Sequence, residues 1–263
     1  MDDRGEQAHV LATVSDRVGR ITLNRPEKRN ALTDAMLAQL LETLDRFEQS
    51  DDVRVLLLSG TGAAFCSGVD LADMQATRER RGSFDYELLP RVFDRLGRFA
   101  KPSVAMVQGA AIAGGCELAL HCDVRIGSPA AKFAMPLARL GLVIPCEPAE
   151  RLVNIIGIGP AREMLLTGDV IEGARAERIG LLSRLVANDA LVAETDALVQ
   201  RLALNAPLSV VAMKRMLNQF GQVLAEPDRQ HFESERLRIS QSEDMREGLQ
   251  AFFERRPPKF RGV

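Results

Sequence analysis

A glutamate that follows a pair of glycines is the first place in this sequence where chemistry could be done. In VQGAAIAGGCELALHCD, residues 107–123, the β-rich run Pro102 to Val107 enters a turn of small residues, which opens onto a helix-patterned segment, Cys116 to His121. Gly109, Gly114 and Gly115 free the turn and leave its backbone bare to a ligand. The first amides of a helix have no partner inside it and sit at its positive end, so this turn can receive an anion. If that anion is a thioester oxygen becoming an enolate, the turn is half of an oxyanion hole. Glu117, three residues after Gly114, then stands beside the reacting carbons as an acid or base. Taken alone, the same pattern reads first as a helix cap that answers the dipole. His121, four residues further on, could tune Glu117, although a cation at a helix C-terminus is the plainer reading.

These residues need elements to position them. VRVLLLSG, Val53 to Gly60, is a continuous apolar run with a glycine stop, which fits a buried parallel strand. It feeds TGAAFCSGVDLADM, residues 61–74, a second small-residue turn before a helical stretch. Strand, glycine-rich turn and helix therefore recur near residues 60 and 110, and two such turns on neighbouring layers can aim two N–H groups at one carbonyl oxygen. Residues 9–24 alternate about Asp16–Arg17 and predict a hairpin. NRPEKRNAL, Asn24 to Leu32, breaks at Pro26 and crowds three cations into a loop, a seat for phosphates or a solvated cluster. Thr33 and Asp34 begin a helix to about Ser50. The charged stretch at residues 76–84, with Arg78, Glu79, Arg80 and Arg81, is expected to be mobile, a flexible pocket wall near Tyr86, with a helix from about Phe84 to Phe99.

DVRIGSP and KFAMPLARLGL predict a strand, a turn, a strand and a short helix from Pro136. Helices follow at 147–157, 160–166 and 172–178, and Leu181 to Val186 reads as the last strand. From Asp189 the pattern is all helical, which predicts a core over 1–189 and a helical region over 190–263. Leu237, Ile239, Met245, Leu249, Phe252 and Phe253 offer apolar faces that a thin appendage cannot bury, so packing against another subunit is expected.

Composition excludes several classes. With 263 residues, 46% hydrophobic and 27% charged, the chain can bury a real core. A net charge of -2 with mixed signs gives no reason to expect nucleic acid. No apolar run approaches the roughly 20 residues of a membrane span, and MDDRGEQAH lacks a signal-peptide core, so the expectation is a cytoplasmic protein without membrane contact. Cys66, Cys116, Cys122 and Cys146 show no zinc-like spacing and read as reduced, buried residues; His9, His121 and His231 are too scattered for a metal site.

Five stretches in order, NRPEKRNAL, AFCSGVDL, GAAIAGGCELALHCDVRI, KFAMPLARLGL and EGLQAFFERRPPKFRG, resemble the crotonase superfamily, the enoyl-CoA hydratase/isomerase family, over nearly the whole chain. The resemblance implies an α/β fold, a spiral of ββα units with a C-terminal all-helical oligomerisation region that makes homotrimers, often paired into hexamers. It implies an acyl-CoA substrate of the kind met in fatty acid metabolism, with no separate cofactor because coenzyme A is part of the substrate. Carried over residue by residue, the amides of Ser67 and Gly114 match the oxyanion-hole donors and Glu117 the first of two glutamates. Arg25, Lys28 and Ala31 match the loop that holds the CoA phosphates and adenine, and Gly68, Val69, Asp70 and Leu71 line the adenine end. Phe253 and Lys259 fall where, in such trimers, the chain reaches a neighbour's CoA.

The second glutamate is missing. The family's hydratases carry it directly after a proline, and here Pro136 is followed by Leu137, with Gly141 keeping its family position. Hydration in this family is assigned to two carboxylates, and such acid–base help is typically worth about 10² to 10⁴ in rate. Glu147 is a candidate replacement, or it and Glu150 simply start a helix. Three functions follow. The first is a hydratase or isomerase. The second is a decarboxylase of malonyl-type thioesters, because FAMP…LGL and the C-terminal segment resemble the methylmalonyl-CoA decarboxylase branch, although Ile144 stands where that branch has tyrosine. The third is an acyl-CoA binder without turnover, which Leu137 suits and Glu117 argues against.

Overall fold

Two adjacent residues with positive φ, Asp16 at 51° and Arg17 at 65°, close the expected hairpin between β1 (Val10–Ser15) and β2 (Val18–Leu23). The computed structural model describes residues 8–81, 87–220, 230, 233–234 and 237–259. From β2 onward the main sheet is parallel: β2 pairs with β3 (Val55–Gly60), β3 with β4 (Ser103–Val107), β4 with β6 (Val124–Gly127) and β6 with β9 (Arg184–Leu185). The order is β1-β2-β3-β4-β6-β9. Parallel neighbours require crossovers, and helices supply them. Between β2 and β3 runs α1 (Asp34–Gln49), capped by Thr33, whose hydroxyl accepts from the Met36 amide at 3.3 Å. Between β3 and β4 lie α2 (Leu71–Arg81) and α3 (Leu88–Gly97), and between β4 and β6 lies the short α4 (Gly114–Leu120). Helices α5 (Cys146–Ile156), α6 (Ile158–Thr167) and α7 (Gly173–Arg178) precede β9; α8 (Leu191–Leu204), α9 (Pro207–Phe220) and α10 (Glu243–Glu254) follow it.

A parallel strand here does not feed its helix directly. Past its end the chain lays a short extended segment beside the equivalent segment of the next turn. Leu32 bridges Val69 and Cys66 bridges Ala111, both in parallel. β5 (Ala110–Ile112) pairs in parallel with β7 (Lys132–Ala134), and β8 (Ile171–Glu172) joins β7 antiparallel. This second ladder makes each turn of the spiral a ββα unit, and it gathers the strand exits side by side. β5 and β8, at three and two residues, are too short to leave a periodic signal.

Some expectations change. Arg78 to Arg81 form the last turn of α2, while Phe84 and Tyr86 lie outside the described residues. The helix expected from Pro136 is a 3-10 turn, Pro136–Leu140, ended by Gly141 at φ 69°. The last strand keeps only Arg184 and Leu185.

The main core packs one sheet face against α1, α3 and α4 and includes Phe47, Phe65, Phe99 and Phe133. The opposite face, with Val18, Val55, Leu57, Val104 and Ile126, is covered by Leu191, Leu198, Val199 and Ala203 of α8. A parallel sheet needs both faces covered, so α8 completes the core although it follows the boundary expected at residue 190. A third cluster joins Met74 of α2 to Met245 and Leu249 of α10, with Val69, Leu71 and Leu142 around them. A Cβ on Gly248 would stand 2.5 Å from the Leu140 carbonyl, so only glycine lets α10 lie this close to the 3-10 turn. Met245 and Leu249, expected to bury against another subunit, are therefore buried in their own chain, worth about 1.5–3 kcal/mol each. Phe252 and Phe253 remain exposed, as do Leu208, Met213, Met216 and Leu217 on α9. Among the described residues no helix is long and apolar enough to cross a membrane.

Candidate functional site

The glycine-cornered turn before α4 is held from both sides. The Cys66 amide donates to Ala110 at 2.9 Å and the Ile112 amide to Cys66 at 3.0 Å, while Ala113 donates to Ala134 at 2.9 Å. Three strand exits are thus bonded in a row. A Cβ on Gly115 would lie 2.1 Å from the Cys66 oxygen, which is why a glycine stands at this joint. Ala113 sits at φ 47°, ψ -119°, a conformation that costs a non-glycine residue about 1–3 kcal/mol. Its N–H is fixed to Ala134 and its carbonyl accepts from Glu117 at 2.9 Å, so the surroundings hold it there. This strained residue turns the chain so that α4 begins at Gly114, and single-sequence patterning gave no sign of it.

All seven residues of α4 are buried, and Glu117 is 4% exposed. The Gly114 amide has no acceptor among the described residues. The Ser67 amide differs: it donates to the Arg29 carbonyl at 3.0 Å, so the expectation of two open donors is corrected at this position. The cause is the backbone of Arg29 and Asn30, with φ of 51° and 57°, which turns the Arg29 carbonyl toward the 66–70 turn. Gly68 lies against α4 instead, and a Cβ there would come 3.3 Å from the Gly114 nitrogen. Because Ala113 is bonded to Ala134, the chain leaving β7 passes alongside the start of α4 and runs into Pro136 and the half-buried Leu137, whose carbonyl accepts from Leu142 at 2.9 Å.

The cationic loop is more structural than its composition suggests. Arg25 donates to the Ala31 carbonyl at 2.6 Å and pairs with Asp70 at 3.2 Å, with side chains only 12% and 17% exposed. Its guanidinium is turned inward, which corrects its assignment to the CoA phosphates. Asp70 also caps α2 by accepting from the Ala72 and Asp73 amides at 3.2 and 3.4 Å. Lys28 is exposed on the turn Pro26–Lys28, Ala31 is buried, and Val69 and Leu71 are half-buried beside α10. The residue missed in this loop is Asn30. Fully buried, it donates to the carbonyls of Thr61, Ala64 and Phe65 at 2.9, 2.9 and 3.1 Å and accepts from the Arg25 amide at 2.9 Å. Its type was the available signal, since asparagine tolerates a left-handed backbone that most residues avoid.

Glu147 does not stand in for the missing glutamate. It lies in the first turn of α5, 45% exposed, with one oxygen 2.7 Å from His121 Nε2 and the other taking Arg151 Nε and Nη2 at 3.0 and 2.8 Å. Burial pushes its carboxyl up, but the hydrogen bond and charge of His121 and the Arg151 guanidinium outweigh that and pull it down to about 2. The site explains itself by length: α4 spans roughly 10 Å, and His121 caps the end away from Gly114. Glu147 is drawn to that far end.

At the C-terminus Phe253 is half exposed, and the Lys259 amide donates to Glu247 at 2.7 Å, a carboxylate that also takes two bonds from Arg256. The four cysteines are buried free thiols, and burial raises those of Cys66 and Cys122 to about 12.

A family model described as enoyl-CoA hydratase/isomerase matches residues 13–263. The chain is 32% identical over 259 residues to a 2,3-dehydroadipyl-CoA hydratase of Escherichia coli (strain K12), covering 97% of this chain and 99% of that protein. It matches the crystal structure of an enoyl-CoA hydratase/isomerase from Xanthobacter autotrophicus Py2 with a TM-score of 0.81 and 33% identity, covering 98% and 100% of the two chains. A methylmalonyl-CoA decarboxylase in complex with 2-nitronate-propionyl-CoA matches with a TM-score of 0.88 at 24% identity over 98% and 100%, a likeness of fold.

Proposed function

The chain belongs to the enoyl-CoA hydratase/isomerase family, and on that footing we propose that it acts on an acyl-CoA thioester whose carbonyl oxygen takes up negative charge during the reaction. One observation carries this reading: a buried carboxylate, Glu117, shares a short helix with a Gly114 amide that has no acceptor among the described residues. The Gly114 N–H donates to the thioester oxygen. Ser67 joins it by exchanging its bond to Arg29 for one to the substrate. Preorganised donors of this kind are each worth about 10² to 10³ in rate.

Leu137 cannot move a proton and Glu147 is bound to His121 and Arg151, so Glu117 acts as the single acid/base. One carboxylate suffices for double-bond isomerisation. Glu117 takes a proton from one carbon, the electron pair passes into the thioester as an enolate, and the proton returns two carbons along. Leu137 favours a second reading, decarboxylation: cleavage of the bond to the carboxylate of a malonyl-type thioester feeds the same enolate, and one proton then quenches it. Hydration with one carboxylate runs slower by about 10² to 10⁴. Exposed Lys28, with the 68–71 backbone, is the element we assign to the CoA end, and the exposed apolar side chains of α9 and α10 to contacts within a homotrimer or a hexamer of paired trimers.

Purified protein is mixed with crotonyl-CoA, a 3-enoyl-CoA and methylmalonyl-CoA, following absorbance and carbon dioxide release. Turnover of the second or third, lowered about 10² to 10⁴ by Glu117→Gln, is expected. Activity untouched by Glu117→Gln overturns the assignment. Acyl-CoA binding without turnover of any of the three favours the binder.

A further inference from the structure

His121 is wholly buried at the C-cap of α4, and both of its ring nitrogens face oxygens. Nδ1 lies 2.6 Å from the Glu117 main-chain carbonyl, which can only accept, so Nδ1 carries a proton. Nε2 lies 2.7 Å from Glu147, whose other oxygen is held by Arg151. Bonded through that other oxygen to both Nε and Nη2 of the Arg151 guanidinium, and 45% exposed, Glu147 is held as a carboxylate. An ionised carboxylate accepts, so Nε2 carries a proton as well. The ring stacks on Phe93, centroids 4.9 Å apart and planes 10° from parallel, a favourable seat for a cation. Gly97 on α3 leaves room for the arrangement, since a Cβ there would come 2.8 Å from Arg151 Nη2 and 3.2 Å from the His121 ring. Other charged groups at this corner are Asp123 and Arg125 before and within β6 and Lys214 from α9; Arg125 donates to the Cys122 carbonyl and Lys214 pairs with Asp123, both at 2.7 Å.

We propose that His121 is a positioning residue for Glu117: a buried imidazolium, gripped by Glu147 and stacked on Phe93, that holds the turn of α4 carrying Glu117 and places a fixed positive charge one turn from its carboxylate. The proposal rests on Glu117 being the acid/base. α4 has fewer than three turns, so a grip on its last turn fixes the position of its first. A positive charge near a carboxylate favours its ionised form.

The tests use the full chain. The protein has three histidines, so nitrogen-15 labelling resolves the His121 ring. The expected spectrum at pH 7 shows both ring nitrogens protonated, with one proton lost in Glu147→Gln; a neutral ring in the wild type overturns the proposal without reference to activity. In kinetics, His121→Phe keeps the stack and lowers kcat by about 10- to 100-fold, with KM moved less than about threefold. Its kcat profile shifts its acid limb to higher pH, because the carboxylate has lost its cation. His121→Gln, which can still donate to Glu147, recovers part of the kcat. An unmoved acid limb in His121→Phe, or a kcat loss that only follows a fall in the urea midpoint, overturns the proposal. Glu117→Gln measured alongside separates the two readings: if it retains full activity, the role of Glu117 fails first; if it is inactive while His121→Phe behaves as wild type, only the role of His121 fails.

Discussion

Gly115→Ala tests the joint on which the candidate site depends. The added Cβ would lie 2.1 Å from the Cys66 oxygen, 2.7 Å from its carbonyl carbon and 2.8 Å from its Cβ. Since a carbon–oxygen contact settles near 3.3 Å, the 66–70 turn and the start of α4 must part by roughly 1 Å. Both flanks resist, because Cys66 is bonded to Ala110 and Ile112 on the same ladder. Overpacking of this kind costs about 1–3 kcal/mol, against which the better helix propensity of alanine returns at most about 1 kcal/mol. The shift separates Gly68 and Ser67 from Gly114, and a misplacement of about 1 Å is worth about 10²-fold in turnover. Gly114→Ala is the control: its Cβ would meet nothing closer than 3.6 Å, so stability holds or rises slightly. Urea unfolding and kcat/KM on the acyl-CoA substrate are measured for both. If Gly115→Ala stays within twofold of wild type in kcat/KM and keeps its unfolding midpoint, the two turns are not coupled as described.

Arg25→Ala strands a largely buried Asp70 and is expected to destabilise by roughly 3 kcal/mol, whereas Lys28→Ala leaves the melting temperature unchanged and raises KM for acyl-CoA in a salt-dependent way; the reverse pattern would return Arg25 to the phosphates. Analytical ultracentrifugation is expected to show a trimer or hexamer, and Leu208→Asp with Leu217→Asp, both on exposed positions of α9, should shift it to monomer without loss of helical signal; a monomeric wild type refutes the oligomer.

Much of the fold was legible because its signals are local. The apolar run of β3, the turn at Asp16–Arg17, the Thr33 cap and the paired glycines before α4 each announce themselves within a few residues. The errors lie where a residue's role is decided by a partner distant in sequence. Arg25 reads as a phosphate ligand until Asp70, 45 positions on, takes its guanidinium. Glu147 reads as a spare acid until His121 and Arg151 claim both of its oxygens. Met245 reads as an interface residue until Gly248 lets α10 press onto Leu140.

In each of these cases the residue type was informative about energy but not about address. A charged or apolar side chain must be satisfied somewhere, and sequence alone shows the requirement without the donor or surface that meets it. Ser67 carries this furthest, because its predicted role belongs to a backbone amide that every non-proline residue has. Only the left-handed backbone of Arg29 and Asn30, which brings the Arg29 carbonyl within 3.0 Å of that amide, distinguishes an open donor from an engaged one. In the reading proposed above, a thioester oxygen competes with a main-chain carbonyl at Ser67 and with none among the described residues at Gly114. In that reading the two proposed donors are unequal before substrate arrives, and Gly114 is assigned the larger share of the initial hold.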